Sequence, residues 1–330
     1  MTQPVPLVEI LRGGMVESCH RGHAVIVNQA GELLEQWGDP EKVILPRSSA
    51  KMLQALPLME SGAGNSLSTE QLALACASHS GEDRHVSRVS AWLSELGLDE
   101  GALICGPQAS RDREMRHAMI RAGEAPTRIH NNCSGKHAGF LTLARHLQAD
   151  LDYVDPENPV QRAVRVAIEE VCGETSPGFG IDGCSAPNFA LTLKGLARGM
   201  AAFAGAGQGS GARDKAMASL RDAMIAHPKL VSGEGRACAI LMEAAGGKAA
   251  VKTGAEGVFV AILPDQKLGI ALKIEDGATR AAEVTIAALL ARLGVIDVAH
   301  PMLNRPIRNW DGLVTGVERP VATLAHLTGG

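Results

Sequence analysis

The sequence predicts a mixed α/β (α+β) fold: an antiparallel sheet flanked by helices, with an inserted, mainly helical lobe. Strand-like runs lie at both ends of the chain, and helix-like runs lie between them. The strand-like runs near the carboxyl end are joined by short turns, which favours antiparallel pairing. If the first and last strands share one sheet, residues 1–47 and 236–330 form its sheet-rich part and 48–235 its helical part. The whole of 1–330 is then a single catalytic unit. A cleft between sheet and lobe is a common place for a small-molecule site.

Each element follows from local pattern. VPLVEILRGG and HAVIVNQAGELLEQWG are rich in branched apolar residues and have glycine-centred turns, so they read as strands, with a hairpin around Asn28 to Gly31. From about Ser48 the apolar period lengthens. KMLQALPLME, TEQLALACAS, DRHVSRVSAWLSELG and REMRHAMIRAG read as helices, several of them behind a polar cap. KHAGFLTLARHL, NPVQRAVRVAIEEVCG, NFALTLKGLARGMAAFAG and ARDKAMASLRDAMIAHP continue the helical series. KAAVKTG, GVFVAILP and KLGIALKIEDG return to strand, and TRAAEVTIAALLARLG closes with a helix.

Composition excludes several classes. The 330 residues are 45% hydrophobic and 21% charged, as in an ordinary globular protein. Aromatics are only 3%, so small and aliphatic side chains fill the core. A net charge of -4 gives no electrostatic case for nucleic acid or an acidic membrane surface. The start, MTQPVPLVEILRGGMVESCHRGH, lacks a basic segment followed by a long apolar one, so no secretory signal is expected. Seven widely spread cysteines do not look like a disulfide framework. A reduced, cytoplasmic protein is expected.

Two short motifs could carry serine chemistry. In RSSAK, Ser48 and Lys51 lie one helical turn apart on one face. Serine needs a base within hydrogen-bond reach, and a lysine serves once burial lowers its pKa. The other reading makes Ser48 an N-cap and Lys51 a solvated lysine. Lys252-Thr253-Gly254 ends a predicted strand, and penicillin-recognising hydrolases pair S-x-x-K with K-T-G. Their third element is a polar S-x-N loop. The candidate here is Ser78-His79-Ser80, which lacks the asparagine.

A third constellation is rich in sulfur. In NNCSGKHAGF, Cys133 falls at a predicted helix amino terminus, where the dipole favours thiolate, with Lys136 and His137 one turn on. GIDGCSAPNF places Asp182 and Cys184 before what reads as another helix start. Two thiolates, a lysine or histidine and a carboxylate could hold zinc, although no C-x-x-C is present. The alternative is two buried thiols in glycine-rich turns.

RGGMVES, RSSAK, CASHSGEDRH, NNCSGKHAGF, DGCSAPNF, VSGEGR and KIEDG occur in this order across essentially the whole chain. In this the chain resembles the Rhizobium etli-type L-asparaginases, the asparaginase II family. The resemblance implies a serine β-lactamase and glutaminase-like fold, a homodimer, and hydrolysis of L-asparagine with little or no action on glutamine. It implies Ser48 with Lys51 as one Ser-Lys pair and Ser78 with Lys252 as a second. It maps a zinc site to Cys133, Lys136 and Cys184, completed by water. Asp182 and His137 match positions beside those ligands, and Arg47 and Asn132 match positions close to the substrate. These four are the expected substrate-binding set, with Arg47 and Asp182 facing the α-carboxylate and α-amino groups.

The expected chemistry is acyl transfer. Ser48 attacks the side-chain amide carbon, neutral Lys51 takes the proton, and water hydrolyses the ester after Ser78 and Lys252 relay a proton to the leaving amine. Zinc is expected to position substrate rather than to activate water. Two other classes compete: a penicillin-recognising serine hydrolase or other amidohydrolase, and a zinc-binding protein without catalysis.

Overall fold

A computed structural model describes residues 3–325. Its strands are β1 (Val5–Arg12), β2 (Met15–Asn28), β3 (Leu33–Trp37), β4 (Val43–Ile44), β5 (Phe179–Ile181), β6 (Pro187–Phe189), β7 (Leu191–Thr192), β8 (Ala250–Thr253), β9 (Val258–Leu263), β10 (Leu268–Ile274), β11 (Arg305–Arg308) and β12 (Val314–Pro320). The α-helices are α1 (Lys51–Gln54), α2 (Leu56–Glu60), α3 (Thr69–Ala75), α4 (Asp83–Glu95), α5 (Arg113–Ala122), α6 (Ser134–His146), α7 (Pro159–Cys172), α8 (Leu193–Gly205), α9 (Ala212–Ala226), α10 (Pro228–Val231), α11 (Ala237–Ala245), α12 (Thr279–Arg292) and α13 (Ala322–Ala325).

The first and last strands do share one sheet. Its order is β11-β12-β1-β2-β10-β9-β8, with β3 also paired to β2, and every pairing is antiparallel. The β2–β3 hairpin turns where expected, with Gly31 N–H donating to Asn28 O at 2.9 Å. Every residue of β9 is buried, so both faces of the sheet centre are covered. Helices α8 and α12 both pack on β9 and β10. Gly269 lets α8 approach: a Cβ there would lie 2.2 Å from both Ala197 O and Ala201 N. No helix among the described residues is long and apolar enough to cross a membrane.

Three departures from the sequence reading have local causes. NFALTLKGLARGMAAFAG is helical only from Leu193, because its first residues pair instead: Phe189 with Phe179, and Leu191 with Ile44. The Thr192 hydroxyl then caps α8 by accepting from Gly195 N–H. Strands β11 and β12 carry no apolar alternation, since β11 is a half-exposed edge written Arg-Pro-Ile-Arg. GIDGCSAPNF does not run directly into a helix; it spans the turn between β5 and β6, and β7 intervenes before α8.

Candidate active site

The RSSAK motif forms a single 3-10 turn, Arg47–Ala50, running into α1. Pro46 and Ala50 hold the two cap positions and neither makes a side-chain cap bond, so the capping role foreseen as an alternative for Ser48 does not apply. Arg47 enters the turn at φ 54°, in the left-handed region that non-glycine residues rarely occupy. Its N–H donates to Asn188 Oδ1 at 3.1 Å, which helps to hold that conformation. The K-T-G strand end packs against this turn. Gly254 makes that possible, because a Cβ there would meet Pro46 O at 2.6 Å.

Ser48 and Ser78 open onto one pocket of about 830 Å³, together with Arg47, Asn132, Cys133, Asp182 and Cys184. Behind them lie two buried lysines, Lys51 at 1% exposure and Lys252 at 0%. Lys252 Nζ donates to Ser78 Oγ at 2.8 Å and to Thr253 O at 2.9 Å. Burial pulls Lys252 down to about 7, with the Lys51 charge adding to the effect against the opposing influence of Cys238. A lysine in that state can exchange a proton with the serine it touches. Lys51 Nζ donates instead to Ala77 O and to Cys133 Sγ, the latter at 3.1 Å. The sequence-predicted pairs thus differ. Ser78 and Lys252 are joined by a hydrogen bond, whereas Lys51 directs its amine beneath the pocket toward the sulfur cluster.

Cys133 occupies the N-cap of α6, as its sequence position suggested. The direction of the shifts, however, favours the thiolate on Cys184. A hydrogen bond between the two sulfurs, helped by burial, holds the Cys133 thiol well above the ordinary range, and the same bond with nearby Lys136 holds Cys184 low. The helix-terminus argument assigned the charge to Cys133. Contact with its fellow sulfur outweighs the dipole there. Lys136 Nζ lies 3.1 Å from Cys184 Sγ. Burial would lower Lys136, but the adjacent sulfur charges prevail and raise it, so the amine stays protonated beside the thiolate.

His137 is fully buried and does not line the pocket. Its Nδ1 is 2.9 Å from the Tyr153 hydroxyl, and its Nε2 has no hydrogen-bond partner among the described residues. Burial lowers it to about 4 against the pull of Cys184. Asn132 Oδ1 lies 3.0 Å from Cys133 Sγ, and the Asn132 backbone ties Gln108 to the His79 loop. Asp182 Oδ1 accepts from Arg47 Nη2 at 2.8 Å and Arg47 Nε at 3.0 Å. The expected substrate-facing pair is therefore an ion pair with itself.

Two sulfurs and an amine within hydrogen-bond distance form a compact soft donor set, so Cys133, Cys184 and Lys136 fit a zinc ion. No three His, Cys, Asp or Glu side chains among the described residues converge on one point, so the lysine is needed to complete the set. The sequence reading missed Arg111, Arg236 and Glu256 on the pocket wall. VSGEGR held the only signal, a glycine-rich turn ending in Arg236.

A family model matches residues 8–320 and puts the chain in the class of asparaginase-type amidohydrolases. The family is L-asparaginase II, and the chain belongs to it. No curated protein matches the sequence. Among solved structures, Mglu in its glutamate form is similar at 13% identity and TM-score 0.49, over 84% of this chain and 61% of that one. The chain therefore spans less than two thirds of that protein's length. A beta-lactamase from Mycobacterium bovis is similar at 14% identity and TM-score 0.41, over 79% of this chain and 89% of that one. A beta-lactamase/D-alanine carboxypeptidase from Pseudomonas syringae is similar at 14% identity and TM-score 0.44, over 81% and 92% of the two chains.

Proposed function

We propose that this protein hydrolyses L-asparagine to L-aspartate and ammonia through an acyl-enzyme, as a cytoplasmic homodimer. One observation carries the proposal. Two serines face one pocket, each close in space or sequence to a buried lysine, and one lysine is both hydrogen-bonded to its serine and held near neutral pKa. That is the equipment for moving a proton on and off a serine oxygen.

In the proposed mechanism Ser48 Oγ attacks the side-chain amide carbon and its proton passes to neutral Lys51. The Ser48–carbon bond forms as the carbonyl becomes an oxyanion, which the Ser48 N–H at the start of the turn stabilises. Lys252 supplies the leaving nitrogen with a proton through Ser78, the carbon–nitrogen bond breaks, and ammonia departs. Water then attacks the β-aspartyl ester and gives its proton through Ser78 to the now neutral Lys252, while the ester carbon–oxygen bond breaks and Lys51 returns a proton to Ser48 Oγ, which restores both pairs. The pocket carries both signs of charge, Arg47, Arg111 and Arg236 against Asp182 and Glu256, which suits a substrate bearing both carboxylate and ammonium.

Zinc, when bound by Cys133, Cys184 and Lys136, would supply a fixed positive charge at the pocket edge that positions substrate. For that set to ligate, Cys133 and Lys136 must each give up a proton, so affinity should rise with pH.

A second assignment within the same reaction makes Ser78 the nucleophile and Lys252 its base, favoured by their 2.8 Å hydrogen bond. Quenching turnover of L-asparagine and locating the β-aspartyl ester by peptide mass spectrometry separates the two. An ester on Ser48 supports the first and one on Ser78 the second. Hydrolysis of nitrocefin with no release of ammonia from L-asparagine would replace both with a penicillin-recognising enzyme.

A further inference from the structure

The Arg47–Asp182 pair leaves the substrate α-carboxylate without its expected partner. Arg47 Nε and Nη2 both donate to Asp182 Oδ1, so one edge of this guanidinium is engaged before any ligand arrives. Two other arginines on the pocket wall are not engaged. Neither Arg111 nor Arg236 forms a side-chain hydrogen bond or ion pair with any described residue.

Both stand on segments tied to the Ser78–Ser80 loop. Arg111 N–H donates to Ser80 O at 2.8 Å. Ser80 Oγ donates to Ser232 O at 3.0 Å, and Ser78 N–H to Val231 O at 2.9 Å, which anchors the turn leading to Arg236. The two charges feel each other. Desolvation, then the Arg236 charge, pulls Arg111 below the ordinary arginine range, although its side chain stays open to solvent along part of its length. Two like charges lining one pocket with no ion-pair partner among the described residues repel each other, and an anion between them relieves both. The guanidinium fork matches a planar carboxylate at two points.

We infer that Arg111 and Arg236 together form the seat of the substrate α-carboxylate. Asp182 receives its hydrogen bonds from Arg47 and Gly183 on Oδ1, which leaves Oδ2 for the α-ammonium. Arg47 then orients Asp182 and does not clamp the substrate. This inference rests on the asparaginase reading above, because it names how that substrate is held.

The test uses Arg111→Gln, Arg236→Gln and the two Lys variants in the full chain. Ammonia release from L-asparagine is measured with inhibition by succinamate, which keeps carboxylate and amide, and by 3-aminopropanamide, which lacks the carboxylate. Each Gln variant should raise KM for L-asparagine and Ki for succinamate by roughly 10- to 100-fold, as for a lost charged hydrogen bond, with kcat little changed. Inhibition by 3-aminopropanamide should stay within about twofold of wild type, and Lys should restore part of the loss. An unchanged KM in both Gln variants overturns the seat, as does equal loss toward both inhibitors, which marks a merely structural role. Failure of the wild type to release ammonia from L-asparagine removes the asparaginase reading and this inference with it. Release that ignores both substitutions removes the inference alone.

Discussion

Lys252 is the residue whose environment has the plainest chemical consequence. Burial holds it at about 7, so its ammonium is lost as pH rises above that value. If it protonates the leaving nitrogen through Ser78, kcat/KM should decline on the alkaline side with an apparent pKa near 7, whereas a base role toward a Ser78 nucleophile puts the decline on the acid side, and Lys252→Met should remove that limb along with most activity. A wild-type profile flat from pH 6 to 8 would exclude Lys252 from the rate-determining proton transfer. The same depression affects stability. Between about 7 and the ordinary lysine range, the unfolded chain binds a proton that the folded protein does not, so this group's contribution to stability rises with pH. Urea midpoints at pH 7 and pH 9 should rise more in wild type than in Lys252→Met. Ser48→Ala should lose about a thousandfold or more in kcat while keeping the wild-type midpoint. Activity within tenfold of wild type would leave Ser78 as the nucleophile. Cys133→Ala should leave purified protein without stoichiometric zinc, and zinc retained in full would remove Cys133 as a ligand.

At the scale of elements, two glycines mark where backbone meets backbone. Gly269 on β10 sits under α8, and Gly254 at the end of β8 sits against the 3-10 turn that carries Ser48. A methyl group at either must push fixed atoms aside, which costs about 1–3 kcal/mol in a packed interior. The functional outcomes should differ. Gly269→Ala should lower the urea midpoint with kcat nearly unchanged, because α8 lies behind the sheet centre. Gly254→Ala should lower the midpoint and kcat together, because Pro46 and Ser49 are the atoms displaced. Equal kinetic damage from both would show that the pocket responds to global looseness and not to this contact.

At the scale of the molecule, the pocket exists because distant segments meet at one edge of the sheet. Ser48 follows β4, Ser78 follows α3, Asp182 comes from the β5–β6 turn, and Thr253 ends β8. The proposed homodimer is a property of this same scale. Sedimentation should give twice the 34.5 kDa chain mass, and a monomer at enzyme-assay concentration would remove the dimer from the proposal.

Helical and strand periods reflect which side chains a segment must bury, and that requirement is local. Hence the sequence determined the strand–helix–strand order, the hairpin at Asn28 to Gly31, and the motifs holding both serines and both lysines. Where local requirement is weak, as in the half-exposed edge strand Arg305–Arg308, no pattern exists to be read. Relations between charges were decided only by tertiary structure. Folding joined Lys252 to Ser78, turned Lys51 toward Cys133, closed Arg47 onto Asp182, and left the Arg111 and Arg236 side chains at the pocket without partners among the described residues. The physical reason is range. Periodicity acts over a few residues, whereas hydrogen bonds, desolvation and Coulomb forces act through space between residues that the sequence keeps far apart.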